Sequence, residues 1–255
     1  MNISVISYAF HQMAARGIID LFGYLETCKY RYNLSTADIW NGMLDSVEED
    51  YLRKVKDALE ERELELVNLA VDGAHLWEDD TDLREQNYEN ALAHLKAGEL
   101  LGARTVRIDA GGGHEDLTFT NEQFDYIVAR YREMAERAHD NGYKIGPENH
   151  WGPEDVPANL VRICEAVDHP AFGVLLHVGR WKGDDAGRGD ELIAPWVMHT
   201  HLTPATPEEQ LAERMAMLRD AGYDGCWGTE LVGNYADVGL QLAKVAAVLE
   251  GWRIE

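Results

Sequence analysis

The fold class this sequence predicts is α/β, as a single (β/α)8 TIM barrel, and three observations predict it. The chain has 255 residues, close to the typical length of one such barrel. Short apolar runs begin about every 30 residues, the size of a strand-plus-helix unit. Four of the later runs end at or near a metal-competent side chain: Glu148, His177, His201 and Glu230. In a parallel barrel every strand's C-terminal end opens onto one rim, so four such residues would converge. One domain covering residues 1–255 is expected.

The strands fall, in order, at Ile3–Tyr8, Ala37–Trp40, Leu66–Val71, Thr105–Asp109, Lys144–Glu148, Gly173–His177, Val197–Leu202 and Gly225–Glu230. Runs such as Val5-Ile6 and Val174-Leu175-Leu176 lack strict polar alternation, which suits strands covered on both faces. Between them lie stripes with the 3.6-residue helical period. Val47, Tyr51, Val55 and Leu59 form one. Phe124, Ile127, Val128, Tyr131, Met134 and Ala138 form another, and Val238, Leu242, Val245, Leu249 and Trp252 the last. Thr120-Asn121-Glu122-Gln123 offers a capping box, and Asp45 or Ser46 is placed to cap the second helix. Gly102, Gly142 and Gly222 follow helical runs, where a left-handed terminal glycine belongs. The longest loops, 72–81, 110–118 and 178–189, follow strands three, four and six. Long loops on that rim build substrate pockets.

Composition narrows the function. With 45% apolar and 27% charged residues the chain reads as an ordinary globular protein. Its 23 basic against 46 acidic side chains leave a net charge of −23. Such a surface repels phosphate backbones and anionic membranes, so neither nucleic acid nor membrane is an expected partner. Cys28, Cys164 and Cys226 are far apart and form no CxxC. A reducing cytoplasm therefore fits better than a disulfide framework.

The chemistry concentrates in the second half. In Glu148-Asn149-His150, positions i and i+2 share one strand face, so Glu148 and His150 point together. A carboxylate at a strand end can bind a cation and also take a proton. His177 closes strand six and offers an imidazole ligand. Arg180 and Lys182, just after it, could bind a substrate oxygen or pair with Asp184, Asp185 and Asp190. In His199-Thr200-His201 the second histidine lies nearer the rim. That favours His201 as the ligand and His199 as its support or a substrate contact. Glu230 supplies the second carboxylate. Epimerisation needs two bases on opposite faces of a carbon, whereas one base and one acid suffice for isomerisation or elimination. His11, His75, Trp77, Glu78, Arg107 and Asp109 sit at other strand ends, and His75, Arg107 and, beside Glu148, His150 are taken as further substrate contacts. Trp77, Trp151 and Trp181 suggest a ring-stacking pocket. Gly111-Gly112-Gly113 lacks the lysine and spacing of a phosphate loop, and no GxSxG elbow is present.

At Glu148-Asn149-His150, Leu175-Leu176-His177-Val178-Gly179, His199-Thr200-His201 and Thr229-Glu230 the chain resembles the xylose isomerase-like TIM-barrel superfamily. That group takes in sugar isomerases and epimerases and the AP endonuclease family 2 type. The resemblance implies one divalent ion held by Glu148, His177, His201 and Glu230, with Glu148 and Glu230 also acting as acid–base pair. Manganese comes first, with zinc, cobalt or magnesium as alternatives. The superfamily usually carries aspartate where this chain has His177. An imidazole there removes one negative charge and biases the site toward softer ions. The expected substrate is a small polyhydroxylated molecule, and barrels of this kind often form homodimers. The expected activity is a metal-dependent sugar or keto-sugar isomerase or epimerase, abstracting a proton beside a chelated carbonyl. The alternatives are a dehydratase or lyase on a keto-sugar or cyclitol, and a non-catalytic sugar-binding barrel with a degraded metal site.

Overall fold

The computed structural model describes residues 2–203 and 208–252. Among these, eight strands alternate with helices: β1 (Ile3–Val5), β2 (Thr36–Trp40), β3 (Glu65–Val71), β4 (Thr105–Ile108), β5 (Lys144–Gly146), β6 (Val174–His177), β7 (Val197–Leu202) and β8 (Trp227–Thr229). The longer helices are α1 (Glu49–Glu61), α2 (Thr81–Leu101), α3 (Asn121–Asn141), α4 (Pro157–Val167), α5 (Glu208–Asp220) and α6 (Tyr235–Gly251). Every pairing is parallel, in two four-stranded sheets ordered β1-β8-β7-β6 and β2-β3-β4-β5. Single bridges join the two sheets at Ile6–Asp38, Ile145–Phe172 and Glu148–Leu175, closing the cylinder. This is the (β/α)8 TIM barrel architecture that the strand spacing predicts.

The strands divide their two faces by chemistry. Ile3, Val5, Ala37, Ile39, Val106, Ile108, Val174 and Leu176 join the apolar core that the helices cover. Ser4, Asp38, Asn68, His199 and His201 are buried polar groups linked to one another across the barrel through Asp38, and the buried Arg107 pairs with Asp109. The inner face is thus a hydrogen-bonded network, in place of the apolar packing expected for strands covered on both sides. It is tolerated because its members supply one another's partners.

The helix signals hold with one correction. Thr120 and Gln123 form the reciprocal capping box of α3. Gly102 and Gly142 end α2 and α3 in the left-handed region, and Gly222 follows α5 at φ +100°. Asp45 and Ser46 do not cap the helix after β2. Ser46 Oγ accepts the Glu48 N–H and turns the chain locally, so α1 begins at Glu49 and Val47 lies outside it. Strand β1 also ends sooner than expected, because Ser7–Phe10 winds into a short 3-10 turn. Gly228 in β8 answers a close approach: a Cβ there would fall against the Thr200 carbonyl and 2.7 Å from His199 Nε2.

Candidate metal centre

His177 is the last residue of β6 and His201 lies one before the end of β7. Glu148 follows β5 by two residues and Glu230 follows β8 by one. Neighbouring strand pairing sets His177 directly beside His201. The bridge between Glu148 and Leu175 brings the carboxylate of Glu148 over the same edge. His201 Nδ1 then lies 3.0 Å from Glu148 Oε1 and 3.2 Å from Glu230 Oε2. His177 Nδ1 lies 3.3 Å and 3.6 Å from the same two oxygens. The four donor atoms all fall within 4.8 Å of one another.

These separations fit a cation. Histidine nitrogen and carboxylate oxygen bind zinc-sized ions at about 2.0–2.2 Å, so two donors 90–109° apart on one ion sit about 3.0–3.5 Å from each other. An imidazole nitrogen facing two carboxylate oxygens requires a positive charge between them, a proton or a metal. The electrostatics agree. Burial alone would raise the Glu148 carboxyl, but the charges of His201 and His150 and hydrogen bonds from His177 and His201 hold it well below the usual range. Burial likewise opposes ionisation of Glu230, and His201 overcomes it. His201 is pushed well above the ordinary histidine value despite burial, chiefly by the Glu148 charge, then by Asp38 and Glu230. Two anionic carboxylates therefore face a buried imidazole whose proton a divalent ion could replace.

The two glutamates differ in access. Glu148 is 2% exposed and Glu230 18% exposed at the side chain. Glu148 is braced from behind: Arg107 Nε lies 3.4 Å from Oε2, and Asp109 Oδ1 accepts the Glu148 backbone N–H at 3.2 Å. Asn149 points away from Glu148 and clamps β6. Its Oδ1 accepts the His177 N–H at 2.7 Å, and its Nδ2 donates to the carbonyls of His177 and Arg180 at 2.9 Å and 2.8 Å. Asn149 was visible in the sequence only as the residue between Glu148 and His150. Its signal was an amide at i+1 of a strand end, facing the next strand.

The expected substrate contacts separate into rim and interior. His150, 33% exposed at the side chain, stands at the mouth with Nδ1 3.6 Å from Asp109 Oδ2. His75 packs against Trp151 at 4.3 Å between ring centres and lies 3.2 Å from Glu78. Arg180 is exposed, and Lys182 pairs with Asp155 at 2.9 Å. Arg107 corrects an expectation. Its side chain is 4% exposed, and its nitrogens are taken up by Asp72, Asp109 and the Val71 carbonyl, so it braces the site from within. Of the two roles expected of His199, its position fits support: it is buried below His201 and bonded to Asp38 at 2.8 Å. Trp77 is buried beneath the Arg84 guanidinium, so only Trp151 and Trp181 of the three tryptophans keep partial exposure. A cavity of about 1270 Å³ is lined by His11, Ile18, Trp40 and Tyr235 among others, and none of the four clustered residues lines it.

Residues 32–246 match the family described as xylose isomerase-like TIM barrel. The chain belongs to that family. No curated protein sequence gives a significant match. Among solved structures the barrel is similar to the probable 3-DHS dehydratase AsbF of Bacillus anthracis, at TM-score 0.76 and 15% identity over 96% of this chain and 99% of that one. It is also similar to the 3-keto-D-glucoside 4-epimerase YcjR of E. coli, at TM-score 0.76 and 14% identity over 98% and 99% of the two chains. A third is a xylose isomerase-like barrel of Mycobacterium smegmatis in complex with magnesium, at TM-score 0.72, 15% identity and 97% coverage of each chain. At such identities the likeness describes the fold. Among the described residues no helix is long and apolar enough to cross a membrane.

Proposed function

We propose that this xylose isomerase-like barrel is a divalent-metal-dependent isomerase or epimerase acting on a keto-sugar, with Glu148, His177, His201 and Glu230 as the ligands. One observation carries the reading: both imidazole Nδ1 atoms face the same two carboxylate oxygens at 3.0–3.6 Å. When bound, the ion, manganese first, would polarise a substrate carbonyl and acidify the adjacent carbon-bound proton. The protein's own groups do the rest. Glu230, the more open carboxylate, moves the proton on the carbon at the mouth. Glu148, sealed and braced by Arg107 and Asp109, is the opposite member of the pair and gives or takes a proton on the other face of the carbon as Glu230 takes or gives one. The partly exposed His150 and Trp151 and the exposed Arg180 orient hydroxyls and a sugar face above them. The likeness to a keto-glucoside epimerase supports this class.

A second reading is loss of water from the same substrate class. His150 beside Asp109 is placed to protonate a departing oxygen, and one of the similar structures is a probable dehydratase. The two readings share the first proton abstraction and part at the product.

The test is solvent deuterium incorporation into a panel of ketoses and keto-glycosides with manganese added. Wild type should exchange one carbon-bound hydrogen, and Glu230→Gln and Glu148→Gln should each slow this by at least about a hundredfold, the scale of a positioned proton-transfer group. Exchange that survives both substitutions would sink the assignment. A product short of one water selects the second reading.

A further inference from the structure

The layer beneath the four clustered side chains holds a carboxylate that the proposed chemistry leaves unused. Asp38, in β2, is fully buried. Its Oδ2 reaches across the barrel to β7, lying 2.8 Å from His199 Nε2 and 3.5 Å from His201 Nε2. The carboxylate is held from two further sides. Asn68 Nδ2 donates to Oδ1 at 2.9 Å, and Ser4 Oγ donates to Oδ2 at 3.3 Å. Asn68 is itself fixed by Thr105 Oγ1, which donates to its Oδ1 at 2.9 Å. Strands β1, β3, β4 and β7 thus all take part in seating one carboxylate on the barrel axis. Above it, His201 Nε2 is a buried nitrogen with no hydrogen-bond partner among the described residues, and the Asp38 carboxylate at 3.5 Å is the charged group it faces.

We infer that Asp38 is the positioning residue of the metal centre, accepting the His201 Nε2–H and so keeping the Nδ1 lone pair aimed at the point shared with Glu148 and Glu230. The inference rests on the metal-centre reading above. An imidazole is a useful ligand only when one nitrogen is free of its proton and the ring is held in place. A carboxylate on the far nitrogen supplies both conditions and makes the ring a better donor. His199 completes the device. Its ring stands at 86° to that of His201, 5.6 Å between centres. It donates to the same Oδ2, so the carboxylate cannot swing away from the axis. The adjoining residue of β8 is Gly228, where any side chain would press on both His199 and Asp38. An alternative occupant of this layer is a second cation among Asp38, His199 and His201, whose donor atoms also cluster. The Ser4 and Asn68 hydrogen bonds to Asp38 argue for the proton-linked arrangement.

The experiment titrates the metal-free full chain with Co2+ alone, in wild type, Asp38→Asn and Asp38→Ala. Affinity is read by chelator competition, geometry by the visible ligand-field spectrum, and folding by circular dichroism. Wild type should bind one Co2+. Asp38→Ala should weaken binding about 10–100-fold, the usual effect of losing a ligand's hydrogen-bond partner. Asp38→Asn should weaken it less, because the amide oxygen can still accept, and both variants should alter the spectrum. Since Asp38→Ala removes a buried anchor and can unfold the barrel, a wild-type measurement stands beside it. NMR of the Cd2+-loaded, isotope-labelled protein should show metal coupling at His201 Nδ1 and a retained proton on Nε2. Unchanged affinity and spectrum in both variants, or coupling through Nε2, overturns this inference and leaves the metal centre standing. A second Co2+ per chain, lost on substituting Asp38, also overturns it by making Asp38 a ligand. No Co2+ uptake by wild type removes the metal centre and this inference together.

Discussion

His177 is the residue at which the sequence gives chemical information beyond fold. It ends an apolar run, so its place on the rim was legible. An aspartate is usual at this position in the superfamily that the motifs resemble. The imidazole keeps the donor atom on the shared point, 3.3 Å from Glu148 Oε1, while bringing no charge of its own. The four-residue set then carries two negative charges, both from glutamate. Hard ions such as magnesium gain most from added charge, softer ions from nitrogen. His177→Asp should therefore raise magnesium affinity by at least about tenfold, since one extra charge at ligand distance is worth more than 1.4 kcal/mol even in a screened site. Calorimetric titration of the metal-free protein checks this. An affinity unmoved by the change would place residue 177 outside the ligand set.

At the scale of elements, the site depends on how β5 exits beside β6. Glu148 turns inward as a ligand, and Asn149, one position on, turns to the neighbouring strand and meets the two backbone groups of His177 and, past the strand end, the Arg180 carbonyl. The alternation that aims Glu148 and His150 together is what aims Asn149 elsewhere. Asn149→Ala would leave the His177 N–H and the Arg180 carbonyl without their partner, while the His177 carbonyl keeps the Arg180 N–H. Unmet buried backbone groups cost about 1–3 kcal/mol each. The variant should melt several degrees lower, at about 2–4 °C per kcal/mol for a chain of this size, and should bind metal more weakly through the loosened His177. A melting temperature equal to wild type would show that water replaces the amide. The same scale explains the misplaced helix start after β2. Ser46 is a good capping residue, but its hydroxyl is used on the Glu48 N–H in a turn, so the helix opens three positions later without a side-chain cap.

The whole molecule couples these charges to stability. Asp38, Asp109, Glu148 and Glu230 are all held below their ordinary values in the folded protein, against burial, by the histidines or Arg107 around them. Each contributes stability that is present above the unfolded value of about 4 and is lost as pH falls through the lower folded value. His201 has the opposite sign. Its value is raised, so its contribution is present below about 6.5 and is lost as pH climbs through the higher folded value. The metal-free protein should thus melt highest between these limits and lose stability on both sides. Saturating manganese should remove the alkaline loss, because the ion takes the place of the proton between imidazole and carboxylates. Calorimetry across the pH range, with and without manganese, tests this. A metal-free melting temperature that stays flat into alkaline pH would contradict the buried imidazolium on which the fit to a cation rests. The net charge of −23 adds a general repulsion at high pH, but manganese bound at one internal site would not abolish that term.

Much of the barrel and the makings of its site were readable in one dimension. The spacing of apolar runs, the helical stripes and the glycine stops report local periodicity, and local periodicity is enough to place eight strands and the residues at their ends. The identity of the four clustered side chains followed, because a closed parallel barrel delivers every strand end to one rim. What the chain could not disclose until folded was which polar groups face inward and whom they meet. Asp38 and His199 are 161 positions apart and become partners only when β2 and β7 close around one axis. Arg107 carries the marks of a rim cation in sequence, yet Asp72, Asp109 and Glu148 enclose it. Such pairings are long-range and specific to individual atoms, so no pattern of hydrophobicity encodes them. They are decided by the distance across a barrel and by the cost of leaving any buried charge alone.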